Sequence, residues 1–174
     1  MPSNKEPGDS PAKAQKNPLS TTGETVAKNV ERLRKKRGLA YTELAARLEA
    51  IGRPIPTLGL RHIEAMKRRV DADDLVALAV ALGTNPNAIL FPPTDSPTHL
   101  VEITGARSQN AADAWAWARG ERYLPRALSE IPSTVPTENR HTYAQADFEN
   151  NSDPAVQNWT DQPNIVVVPQ DIEE

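Results

Sequence analysis

The chain has 174 residues and a net charge of −3, with 38% hydrophobic residues, 16 prolines and no cysteine. This polar, proline-rich composition excludes one large hydrophobic core, and the missing cysteines exclude disulfide scaffolds, thiol nucleophiles and the common zinc sites. No apolar stretch is long enough for a secretory signal or a membrane span, so we expect a cytoplasmic protein that does not contact membranes.

The first helix is predicted to follow a polar N-terminal tail. Residues 1–19 contain almost no apolar side chains and predict a disordered segment. Thr21 with Glu24 three residues later fits a capping box, and Gly38 is placed to end the helix. Its apolar stripe recurs at helical spacing and consists of Val26, Val30 and Leu33.

Two further helices are predicted on either side of a proline-containing connection. Helix two spans about residues 41–51 and ends at Gly52. The segment 53–56 cannot be helical, because its two prolines fix φ and remove backbone donors. Thr57 then has the side chain of an N-cap for helix three. The positions predicted to face inward are Leu44, Ala45, Leu48, Ile51, Leu60 and Ile63.

Helices four and five are marked by their capping residues. Asp71 is the predicted N-cap of helix four, and Gly83 its stop. Asn85 followed by Pro86 predicts the start of a short fifth helix, which ends before Pro92. Five short helices with tight connections over residues 20–93 predict an all-α domain. The inward positions of helix four are Leu75, Leu78, Ala79 and Leu82.

The remaining residues carry weaker signals. Within an accessory segment at 94–128 we predict a short strand at 100–104 and a tryptophan-containing helix that starts near residue 111. Residues 129–174 predict a mostly disordered acidic tail, with 129–164 polar and interrupted by prolines. The apolar run 165–168 leaves two alternatives open, a strand paired with 100–104 or a binding segment.

The charge is divided unequally along the chain. Residues 20–71 contain 12 Lys and Arg against 6 Asp and Glu, whereas residues 72–174 contain 5 against 15. Such asymmetry indicates a nucleic-acid partner for the basic part, although a basic surface without a partner gives the same count.

The order of the motifs resembles one family of regulators. The resemblance covers residues 24–92 and is to the Xre-like, phage-repressor-type helix-turn-helix family. It depends on Val30-x-x-Leu33-Arg34-x-x-Arg37-Gly38-Leu39, Glu43-Leu44-Ala45-x-x-Leu48, Leu60-x-x-Ile63-Glu64 with Lys67-Arg68, and Leu75-x-x-Leu78-Ala79-x-Ala81-Leu82-Gly83 with Ile89-Leu90. The Gly-Arg-Pro-Ile-Pro and Arg-Arg-Val-Asp-x-Asp-Asp-Leu segments also resemble a set of actinobacterial regulators.

The chain departs from the family pattern at two places. Ala45 and Leu60 are 15 positions apart, more than in compact members, so either helix two is longer or the turn is an expanded loop through 53–56. Met66 stands where the family usually has a glycine after helix three. The first departure leaves the angle between helices two and three open. The second leaves open only where helix three ends.

The resemblance implies a sequence-specific DNA-binding transcriptional regulator, expected to be a bacterial or phage repressor. In that family helix three enters the major groove of an operator, and two half-sites bind a homodimer. Arg61 is the strongest candidate for base reading because its fork matches guanine O6 and N7, with a phosphate or solvent contact as the alternative. Leu58 either touches a thymine methyl or packs under helix two. The matching base-contact positions are Thr57, Leu58, Gly59, Arg61 and His62.

Other matching positions predict contacts with the DNA phosphates and one ion pair within the protein. Cations and hydroxyls beside helix three commonly meet phosphate, although a charge run can be merely solvated. Arg34 and Glu64 match an ion pair that links helix one to helix three in the family, with two independent surface charges as the alternative. The phosphate candidates are Tyr41, Thr42, Arg53, Lys67, Arg68 and Arg69.

No enzyme class is favoured by the sequence. The three histidines lie in separate contexts without metal-ligand spacing, and no glycine-rich phosphate loop or Gly-x-Ser-x-Gly motif occurs. We therefore expect no catalysis, cofactor or metal. An alternative function is an antitoxin that binds its operator and inhibits a toxin through the acidic C-terminal region. An RNA-binding adaptor is disfavoured, because aromatic residues that could stack on bases are scarce in the basic part.

Overall fold

The computed structural model describes residues 18–106 and 108–152, apart from the side chain of Arg126. The chain divides into two compact units between Pro93 and Thr94. The first is mostly helical, and the described part of the second contains helices and two short strands. Most of the predicted tail at 1–19 and all of the apolar run 165–168 lie outside the described residues.

The first unit consists of the five predicted helices. Their bounds are α1 Thr21–Lys36, α2 Tyr41–Ala50, α3 Thr57–Glu64, α4 Ala72–Ala81 and α5 Pro86–Leu90. The prediction of five helices from apolar periodicity and stop residues is therefore confirmed for this unit.

Two of the four predicted N-caps are correct. The Asp71 carboxylate accepts a hydrogen bond from the Asp74 backbone N–H at 2.7 Å, and the Asn85 side chain accepts one from Ala88 at 3.0 Å. Thr21 and Thr57 are not caps, because each is already the first helical residue. Ser20 and Pro56 precede them without a side-chain cap, so the predicted capping box at Thr21 is wrong.

The core of the first unit lies where the stripes of the helices meet. Leu44 and Leu48 of α2, Leu60 and Ile63 of α3, Leu78 of α4 and Leu82 directly after α4 are all fully buried. The prediction for Ile51 is wrong, since its side chain is 45% exposed. Ile51 lies just after the last turn of α2, so the periodicity that buries Leu44 and Leu48 no longer applies.

A buried amide joins α1 to the end of α5. The Asn29 side chain is almost fully buried and donates to the carbonyls of Ile89 at 3.0 Å and Phe91 at 2.8 Å. Its carbonyl oxygen accepts a hydrogen bond from Arg32 at 3.0 Å. These bonds satisfy a buried polar group and fix the α5 end, which is too short to be held by its own helical hydrogen bonds.

The connection between α2 and α3 is an expanded loop rather than a longer helix. It runs from Ile51 to Pro56, and within it Ile55 is buried in the core at 2% exposure. At the other end of α3, Met66 adopts a left-handed conformation with φ of 59°. Met66 therefore has a β-carbon in a conformation that favours glycine.

The second unit begins with a hairpin and a helix. β1 (Leu100–Glu102) pairs antiparallel with β2 (Ser108–Asn110), and α6 (Ala111–Ala118) follows directly. The predicted strand and tryptophan-containing helix are both present, but β2 supplies the pairing partner among the described residues. The alternative partner 165–168 lies outside them.

The prediction of disorder across 129–164 is wrong for its described part. A seventh helix, α7 (Arg140–Ser152), follows two short 3-10 helices at Pro125–Ser129 and Thr137–Asn139. Arg140 donates to the carbonyls of Leu128 at 2.8 Å and Ile131 at 3.2 Å, and Ala144 is buried. The polar composition concealed a helix whose anchors include Arg140, the buried Ala144 and Gln145, which donates to the carbonyl of Glu121 at 3.1 Å.

Among the described residues, no helix combines the length and apolarity that crossing a membrane would require.

Candidate nucleic-acid interface

One face of α3 is buried and the opposite face is exposed. Leu60 and Ile63 point into the core with no exposed surface. Leu58, Arg61 and His62 are exposed, with Leu58 at 62%. Their spacing of three and four residues places these three side chains on one stripe, which we call the outer face of α3.

Gly59 does not belong to the outer face. A β-carbon at this position would lie 2.7 Å from Nη1 of Arg68 and 3.1 Å from the side chain of Ile55. Gly59 therefore faces the α2–α3 connection, and its role is to leave room for these neighbours. The predicted base contact at Gly59 stays a prediction. Thr57, the first residue of α3, is half-buried.

Arg34 and Glu64 form a two-point ion pair between α1 and the last residue of α3. Arg34 donates from Nε to Oε1 at 2.7 Å and from Nη2 to Oε2 at 2.8 Å. Both side chains are less than a tenth exposed, and Nη1 of Arg34 donates further to the carbonyl of Leu39 at 2.9 Å. Paired N–H···O bonds of this kind are strong and fix orientation, so the C-terminal end of α3 is held to α1.

Tyr41 joins the same network from the first turn of α2. Its hydroxyl donates to Oε2 of Glu64 at 2.8 Å. That bond is the main reason that the pKa of Tyr41 is raised above its ordinary value, and the bond to Glu64 likewise raises the pKa of Arg34. The guanidinium carbons of Arg34 and Arg61 lie 4.0 and 4.9 Å from the centre of the Tyr41 ring. The hydroxyl of Tyr41, which was predicted to contact phosphate, is thus bonded to Glu64 within the protein.

Two other phosphate candidates bind a buried carboxylate. Asp74 of α4 accepts from Nε of Arg53 at 2.9 Å and from Nη2 of Arg68 at 2.6 Å, and its side chain is only 3% exposed. Arg53 also pairs with Asp71 and Asp73. We call these five residues the α4 carboxylate cluster. Its three acids outnumber its two arginines, and both arginines are bonded within the cluster. The predicted phosphate contacts of Arg53 and Arg68 stay predictions.

The remaining phosphate candidates lie at the surface beside α3. Thr42 is exposed near the start of α2, and Lys67 is exposed just after α3. Arg69 donates to the backbone carbonyl of Pro18 and is also exposed. These three residues are exposed, as a contact with a DNA phosphate requires.

Some of the features that sequence reasoning missed had partial signals. Helix four carries three acids in and before its first turn, more than one cap requires, and this excess could have indicated partners for nearby arginines. Nothing in the spacing indicated that Tyr41 lies beneath Arg61, because the contact joins two helices through tertiary packing. Asn29 had no signal beyond a polar residue on an apolar stripe.

The described part of the second unit contains an open cavity of about 400 Å³. Apolar and aromatic side chains line much of it, among them Ile103, Trp117 and Phe148. Over residues 18–106 and 108–152, no three His, Asp or Glu side chains are grouped as a metal site.

Comparison of the chain with protein-family models, with curated proteins and with solved structures finds no match.

Proposed function

We propose that the protein is a sequence-specific DNA-binding regulator of transcription in which α2 and α3 form a helix-turn-helix. The observation that carries this proposal is the outer face of α3. It presents Leu58, Arg61 and His62 to solvent on a helix whose other face is part of the core.

The C-terminal end of α3 is bonded to two other helices, and the arginine that follows α3 is bonded to a third. Glu64 is bonded to Arg34 of α1 and Tyr41 of α2, and Arg68 packs beside Gly59 while it binds Asp74 of α4. A helix held in this way presents its exposed side chains in a fixed geometry. Such preorganisation reduces the entropy that is lost when a protein binds its partner.

The side chains on the outer face match the chemistry of base edges. Arg61 can donate two hydrogen bonds to O6 and N7 of guanine in the major groove. His62 can donate or accept at a base edge, and Leu58 can pack against the methyl group of thymine. Thr42, Lys67 and Arg69 are then the candidates for phosphate contacts that set the register.

One α3 reads only a few base pairs, so two copies on two half-sites are expected to bind together. Repression is the simplest regulatory outcome, because occupation of an operator requires no second activating surface. The proposed partner is therefore an operator in double-stranded DNA bound by a homodimer.

Selection of DNA sites from a random library by the full-length protein tests this function. A preferred sequence is expected, and Arg61→Ala should cost about 1–3 kcal/mol on it and relax the preference at one base pair. Arg119→Ala, which removes an exposed arginine from the second unit, is the matched control. Recovery of no preferred sequence, or an equal loss by Arg61→Ala on random DNA, would reject the proposal.

A further inference from the structure

We infer that Tyr41 is a positioning residue that holds the guanidinium of Arg61 in place for base reading. The inference rests on the proposed function and adds a determinant of specificity outside the outer face of α3. It depends on the contact of the Tyr41 ring with two arginines and on the bond of its hydroxyl to Glu64.

Contacts other than the one with Arg61 hold the ring of Tyr41 in place. Its hydroxyl is tied to Glu64 at 2.8 Å, and the Arg34 guanidinium carbon lies 4.0 Å from the ring centre. Arg34 is itself held by two bonds to Glu64. The ring is therefore held firmly within the first unit. It belongs to α2, whereas Arg61 belongs to α3.

Arg61 lies over this fixed ring at 4.9 Å from its centre. A cation is attracted to the face of an aromatic ring, and a guanidinium can stack on the ring without using its N–H groups. Those donors lie in the guanidinium plane and stay available for a two-point contact with a base. Stacking thus limits the conformations of a long, flexible side chain without consuming its hydrogen bonds.

Glu64 is the nearby acid that could otherwise draw Arg61 inward. Its two oxygens already accept bonds from Arg34 and Tyr41. The network therefore neutralises the carboxylate with Arg34, and Arg61 is not required for that purpose. The two parts of Tyr41 have separate roles in this arrangement. The hydroxyl binds Glu64 and so fixes the ring, and the ring stacks against Arg61.

The test compares Tyr41→Leu, which removes the ring, with Tyr41→Phe, which keeps it. Discrimination is measured by titrating full-length protein with the selected site and with variants of that site at each base pair. Tyr41→Leu should reduce discrimination about two- to fivefold at the base pair read by Arg61. Tyr41→Phe should keep most of that discrimination. In an Arg61→Ala background, Tyr41→Leu should add no further loss at this base pair.

A DNA-free measurement separates this inference from the function on which it rests. In the free protein, the NMR signal of the Arg61 Nε–H group should be displaced by the ring current of Tyr41, and Tyr41→Leu should abolish the displacement. Thermal unfolding confirms that each variant is folded.

The inference is overturned if Tyr41→Leu weakens binding equally at all base pairs, or if the Arg61 signal does not change. If the unmodified protein shows no sequence preference, the proposed function fails and this inference fails with it. If the protein is specific and Tyr41→Leu keeps its preference at the Arg61 base pair, only this inference fails.

Discussion

Arg34 and Glu64 meet through two hydrogen bonds of 2.7 and 2.8 Å, although they lie 30 positions apart in the chain. The side chains are only 9% and 5% exposed, so water screens their attraction little. This pair is the direct link between α1 and the end of α3. Its removal should therefore affect both the stability of the unit and the orientation of α3.

Arg34→Ala should lower the free energy of unfolding by about 3–5 kcal/mol, because it leaves the Glu64 carboxylate buried without its partner. The double variant with Glu64→Ala should lose less than the sum of the two single losses. Chemical denaturation of all four proteins measures the coupling.

Lys35→Ala is the control, since it breaks an exposed pair with Glu31 and should cost no more than about 1 kcal/mol. Additive effects of Arg34→Ala and Glu64→Ala within error would show that the pair has no energetic coupling.

Arg68 and Lys67 are neighbours that should behave differently. Arg68→Ala should destabilise the fold by about 1.5–3 kcal/mol, because it removes a hydrogen bond to the buried Asp74 carboxylate. Lys67→Ala should leave stability unchanged and lower the salt slope of DNA binding by about one unit. Denaturation and binding titrations at several salt concentrations distinguish them. An unchanged slope in Lys67→Ala would exclude a phosphate contact.

Met66→Gly should stabilise the protein, which is an unusual direction for a substitution to glycine. A residue with a β-carbon at φ of 59° is strained by about 1–2 kcal/mol, and part of this gain is offset by the greater freedom of glycine in the unfolded chain. We expect a net gain of up to about 1 kcal/mol by denaturation. Ala65→Gly, one residue earlier at φ of −82°, should destabilise instead. A loss of stability in Met66→Gly would contradict this account.

The Tyr41 hydroxyl predicts a pH effect on the alkaline side. Its bond to Glu64 raises the pKa of Tyr41 in the folded state above the ordinary value of 10.0. A group with a raised folded pKa stabilises the protein fully below its unfolded pKa and loses this effect as the pH rises through the folded pKa. Tyr41→Phe should therefore be less stable at neutral pH, and the difference should shrink above about pH 10. A constant difference across this range would show that the hydroxyl bond does not contribute.

The helices of the first unit could be predicted because their signals are local. Apolar residues recur at helical spacing, and Gly38, Gly83 and Asp71 mark boundaries by their own backbone and side-chain chemistry. The outer face of α3 follows from the same periodicity once Leu60 and Ile63 are placed inward.

The partners of Arg53 and Arg68 could not be predicted in the same way. Asp74 lies near a helix N-terminus, where an acid is expected without any further partner. The sequence therefore did not indicate that Asp74 binds Arg53 and Arg68. Only the packing of α4 against the α2–α3 connection shows that one carboxylate binds both arginines. The strand β2 was missed for a related reason, since Ser-Gln-Asn has no apolar alternation and forms a strand by pairing with β1.

The α2–α3 connection has a consequence for how the spacing between these helices can vary. Pro54 and Pro56 restrict the backbone on both sides of Ile55, so the unfolded chain also has little freedom at this point. Ile55 contributes its side chain to the core, whereas Gly52 is exposed at the start of the connection. Residues added near Gly52 would lengthen the outer part of the loop and leave the start of α3 anchored. We therefore expect added residues to change the direction of α3 less near Gly52 than next to Ile55.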